Sequence, residues 1–81
     1  MSLLQAFEIE FYGMMTGVTE HRLPGGRVFH IDFPQQLIRP LVITVAHDDE
    51  GVKFWTSVPE GRQEEAQAVG KLVANFIRSN R

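Results

Sequence analysis

The chain has 81 residues and a net charge of −2, with 43% hydrophobic and 22% charged residues, the proportions of one ordinary globular domain. It contains no cysteine, which excludes disulfides, thiolate metal sites and a cysteine nucleophile. No apolar run reaches the ~20 residues of a membrane span, Met1–Glu10 lacks the pattern of a secretory leader, and a pI of about 5.8 argues against nucleic acid or an anionic membrane as the partner.

Residues 5–13 alternate, with Phe7, Ile9 and Phe11 on one face and Glu8, Glu10 and Tyr12 on the other, as in a half-buried strand. Strands over 17–23 and 27–33 follow. Met14-Met15-Thr16-Gly17 is read as the first turn and Pro24-Gly25-Gly26 as the second, since proline presets φ and glycine accepts a positive one. With three-residue turns, Phe11 would face His21 and His21 would face Phe29. That register gathers Phe7, Ile9, Phe11, Leu23, Phe29, Ile31 and Phe33 on one face. Glu10 and Glu20 would then pair with Arg22 and His30 on the other.

Pro34–Pro40 is a bounded connection in which Leu37 and Ile38 are expected to tuck over the core as a lid. Strands over 41–47 and 52–58 flank the turn Asp48-Asp49-Glu50-Gly51. They carry apolar side chains on both faces, Val42, Phe54 and Val58 on one and Ile43, Val45 and Trp55 on the other. A strand apolar on both sides is covered on both sides. A helix over 60–79 can cover one face, and the lid or a second chain must cover the other. Its stripe is Ala66, Val69, Gly70, Val73, Phe76 and Ile77. Glu60, Glu64 and Glu65 at its start and Lys71, Arg78 and Arg81 toward its end suit the helix dipole. Ser57 and Glu60 are the candidate N-caps. Gly70 on the buried stripe implies close approach of another element. The fold class is therefore α+β, an antiparallel meander of about five strands with one C-terminal α-helix on one face.

Few residues point to chemistry. His30 and Asp32 share one face of a strand, with Glu20 alongside, which suits a divalent metal or proton transfer; the ordinary reading is solvated cross-strand pairs. His21, placed among Phe11 and Phe29, reads as a packed histidine or as an imidazole in a pocket. His47-Asp48-Asp49-Glu50 is a solvated turn before it is a cation site, because no ligand-loop spacing accompanies it. There is no nucleophile elbow around Ser57 and no phosphate loop among the glycines. No cofactor is implied.

Surface scaling gives about 5,000 Å² of apolar area buried on folding, or about 125 kcal/mol at ~25 cal/mol/Å², against about 120 kcal/mol of ordering entropy. A balance this close favours oligomerisation as added support. The expectation is a small, non-enzymatic cytoplasmic domain that forms a homodimer through the hairpin over 41–58 with its patch of Ile43, Val45 and Trp55, through the helix, or through both, and acts by binding or scaffolding. The alternative is a small-molecule-binding or metal-dependent enzyme with a pocket around His21, His30 and Asp32.

Overall fold

The computed structural model describes residues 2–34 and 38–80, and the side chains of Ser2 and Leu3 lie outside that description. Leu37 of the expected lid and Arg81 also fall outside it. The elements are β1 (Ser2–Phe11), β2 (Met14–Leu23), β3 (Gly26–Asp32), β4 (Leu41–His47), β5 (Lys53–Ser57) and α1 (Gln63–Ser79). The five strands form one sheet in the order β1-β2-β3-β4-β5, antiparallel throughout. The protein is thus the expected α+β meander with a helix packed across it.

Both early hairpins turn more tightly than the three-residue loops the sequence suggested. The first turn is Tyr12-Gly13, with Phe11 paired to Met14. Tyr12 and Gly13 both have positive φ, 51° and 75°, the backbone that matches the right-handed twist of a two-residue hairpin. Met14–Gly17 is therefore strand and not turn. The second turn is Pro24-Gly25, with Leu23 paired to Gly26.

Removing one residue from the second loop shifts the pairing with β3 by one. Thr19 now faces His30, Glu20 faces Phe29 and His21 faces Val28. Because side chains alternate, the slip moves β2 across the sheet. Thr16, Val18 and Glu20 point toward the helix and are buried, while Thr19, His21 and Leu23 belong to the opposite face. The expected pairs of Glu10 with Arg22 and Glu20 with His30 do not form. Glu10 lies beside Met15 instead.

Ile9, Val18, Phe29, Ile31, Leu41 and Ile43 from the sheet meet Ala66, Val69 and Val73 from α1 in the core. Burial of each larger aliphatic or aromatic group stabilises the fold by about 1.5–3 kcal/mol. Phe7 and Phe76 stack in parallel with ring centroids 4.0 Å apart, tying the end of the helix to β1. Gly70 explains itself: a Cβ there would overlap the Cγ, Cδ1 and Cδ2 atoms of Trp55, so only glycine lets the helix lie on the indole.

The helix starts at Gln63, later than expected. Arg62 occupies the N-cap position without a side-chain cap of its own, and its N–H donates to Ser57 Oγ at 3.1 Å. Ser57 thus serves the helix start from the end of β5. Glu64 and Glu65 lie in the first turn and Arg78 in the last, complementing the dipole.

Candidate functional site

The helix layer decides which residues remain available. Ile43 is fully buried under α1. Trp55 is half-buried, held between Gly70 and the edge of Phe29 with ring centroids 5.5 Å apart. Of the patch Ile43, Val45 and Trp55 expected at an interface, only Val45 is substantially exposed, at 41%. The face they occupy is closed by the protein's own helix, and Ile38 of the expected lid is itself exposed.

The opposite sheet face has no covering layer among the described residues. Ladder rows across it run Ala6, Thr19, His30, Val42, then His21, Val28, and then Thr44, Thr56 and Ala46, Phe54. Val58 continues the second edge, its N–H donating to Val42 O at 2.8 Å. Phe54 and Val58 are 37% and 47% exposed.

His21, His30 and Asp32 all lie on this open face. His30 Nε2 and Asp32 Oδ1 are 3.7 Å apart, and His21 is a diagonal neighbour of His30 across the β2–β3 pair. The packing of His21 between Phe11 and Phe29 is overturned by the register, which puts those rings on the far side of the sheet. Glu20 is likewise removed from the His30–Asp32 pair. Among the described residues, no three His, Asp or Glu side chains converge as a metal site needs. The turn Asp48–Gly51 uses its carboxylate internally: Asp48 Oδ1 accepts the N–H groups of Glu50 and Val52 at 2.8 and 2.9 Å.

Among the described residues, two clefts of note lie elsewhere. One is bounded by Arg39, Pro40, Ser57, Pro59 and Arg62. Its lip is braced by Arg62, which donates to both Glu65 carboxylate oxygens, at 3.1 and 2.7 Å, and to Pro40 O at 2.8 Å. The hydrogen bonds from Arg62 hold the Glu65 carboxyl below its usual range, and Glu65 raises Arg62 in return. Ser57, Arg62 and the Pro40 carbonyl of this cleft are thus engaged within the fold.

The other cleft is a groove of about 330 Å³ between the β2–β3 turn, the floor formed by Phe29 and Trp55, and Ala74, Ile77 and Arg78 of α1. It exists because β3 and β4 part company. Their pairing ends at Phe29 and Ile43, and the next rung is replaced by the Thr44 hydroxyl donating to Arg27 O at 2.7 Å. Arg27 lines this groove and reaches back to Glu20.

Glu20 is the buried charge that sequence reading placed on the wrong side. It is 1% exposed; its Oε1 accepts from Gln5 Nε2 at 2.6 Å and its Oε2 from Arg27 Nη1 at 3.0 Å. Two hydrogen bonds to the carboxylate, one of them also an ion pair, make its burial tolerable. The signal that could have found it was Pro24-Gly25 read as a two-residue turn, which sets Glu20 opposite Phe29.

No protein-family model matches the chain, and no curated protein or solved structure matches it.

Proposed function

We propose that the protein is a small, non-enzymatic cytoplasmic domain that self-associates through the open face of its sheet and acts by binding or scaffolding. The observation that carries this is the uncovered face bearing Val28, Val42, Phe54 and Val58 opposite the helix. A folded chain of this mass is expected to expose about 4,900 Å², whereas this one exposes 5797 Å². The excess of about 900 Å² resembles the ~800 Å² that each partner contributes to a standard interface. A two-fold pair is self-complementary, so one such face suffices. The centre of the face carries Thr19, Val28, Val42 and Thr44 with the imidazoles of His21 and His30, and Glu8 and Asp32 sit toward one end, a mixed polar and apolar surface of the kind non-obligate interfaces use.

Sedimentation equilibrium across a dilution series tests this reading. The wild type should give a dimer mass that falls on dilution, and Phe54→Glu and Val58→Glu should each give a folded monomer by far-UV circular dichroism. Val45→Glu, on the helix side, should leave association unchanged. A wild type that is monomeric at millimolar concentration, or a dimer lost in Val45→Glu but kept in the other two, would overturn it. Two open-face variants are included so that misfolding of one does not obscure the outcome.

A further inference from the structure

We infer that the groove between the β2–β3 turn and the last turns of α1 binds a small organic carboxylate on a flat apolar body. The body would lie on Trp55, Phe29 and Ile77 and the anion would face Arg78 and Arg27.

Shape sets the size. At about 330 Å³ the groove falls at the small end of ligand pockets and displaces about ten waters' worth of volume. Its floor is preorganised. Trp55 is fixed from behind by Gly70, and Phe29 meets it at 69° in an edge-on contact, so neither ring has to be ordered on binding. Its lining joins the apolar groups of Phe29, Val45, Trp55, Ala74 and Ile77 to the polar groups of Arg27, Thr44 and Arg78, a mixture that suits a ligand with an apolar body and one charged end.

Charge sets the sign. Arg27 and Arg78 line the groove and no carboxylate does. Glu20 offsets Arg27, but its two oxygens are engaged by Arg27 and Gln5. Arg78 donates to a neutral acceptor, Asn75 Oδ1 at 2.7 Å, and among the described residues no carboxylate pairs with it. The C-terminal end of α1 opposes this with about half a negative charge. Asn80 engages part of that end, donating from Nδ2 and N to Phe76 O at 2.9 and 3.1 Å. With Arg27 and Glu20 cancelling, Arg78 outweighs the half charge of the helix end, and the groove favours an anion. Guanidinium groups suit carboxylates because their paired N–H donors match the two oxygens. The groove lies on the helix side of the sheet, so its occupancy is independent of the self-association proposed above.

The test is a charge-reversed pair of probes, 4-phenylbutyrate and 4-phenylbutylamine, titrated into the full chain. Binding is read from emission of Trp55, the single tryptophan, and from its indole N–H resonance. The carboxylate should give a saturable change, with the amine at least about tenfold weaker, the factor one charge-assisted contact supplies. Arg78→Gln, a change at an exposed helix position, should bring the two probes to within about threefold of each other. Phe54→Glu should leave the affinity untouched while altering the assembly. Equal responses to both probes, no saturable response to the carboxylate at 10 mM, or a preference that survives Arg78→Gln would each overturn the inference.

Discussion

Glu20 and Arg27 show how exposure misleads when a single residue is judged. Arg27 has a side chain 58% exposed and Glu20 one that is 2% exposed, so burial alone would make Glu20 the more sensitive site. The reverse follows from what each substitution leaves behind. Glu20→Gln removes the buried charge and keeps one acceptor, at the cost of one neutral NH2 set against a donor. Arg27→Met leaves a buried carboxylate with Gln5 as its remaining side-chain donor. Arg27→Met should therefore cost about 2–3 kcal/mol and Glu20→Gln about 1 kcal/mol. Urea unfolding followed by Trp55 emission checks this, and a larger loss for Glu20→Gln would mean that the pair does not define this corner of the core. Gly70 makes the same point from the opposite direction. Its place on the helix stripe predicted a close approach, and the neighbour is an indole, which nothing in the local sequence could specify.

At the scale of elements, the strands and the helix were legible because alternation and 3.6-residue periodicity are local properties. β4 over 41–47 matches the expectation at both ends, β5 is one residue shorter at each end, and α1 begins three residues later, at Gln63. The turns were less legible. Glycine at 13 and at 17 offered two places to reverse the chain, and the choice went to Tyr12-Gly13, where a bulky residue takes a positive φ of 51°. That conformation is unfavourable for tyrosine and suits asparagine. The side chain is 87% exposed, so little burial is lost on replacing it. Tyr12→Asn should raise stability by about 0.5 kcal/mol, read as an upward shift of the thermal midpoint. A fall instead would mean that the contact of the Tyr12 ring with Phe11, 4.6 Å between centroids, contributes more than the backbone strain costs.

For the whole molecule, the two layers of the described residues leave one face of the sheet without a covering layer. If a second copy fills it, folding and association are linked, and stability depends on concentration. A hundredfold increase in protein concentration should raise the thermal midpoint of the wild type by about 5–10 °C, with no comparable rise for Phe54→Glu. Trp55 emission should stay constant over the same dilution series, because the indole is covered by α1 and not by another chain. Emission that reddens on dilution while the mass falls would place the contact at the helix instead.

The sequence by itself determined the class of fold, the number and order of strands, the helix and its apolar stripe, and the need for close approach at Gly70. These follow from the spacing of apolar residues and from backbone-permissive glycines, which act over a few positions. It also marked β4 and β5 as apolar on both sides. Which side the helix would take was a tertiary matter, settled by Gly70 seating on Trp55 and by Val69 and Val73 meeting Ile43 and its neighbours. The two-residue turns likewise decided which face of β2 is buried, because one residue of register exchanges every side chain between core and solvent. So His21 came to join His30 and Asp32 on the open sheet, while Glu20 was drawn to the helix side beside Arg27. The groove itself exists only where β3 and β4 diverge, a feature of strand pairing across the molecule that no short stretch of sequence encodes.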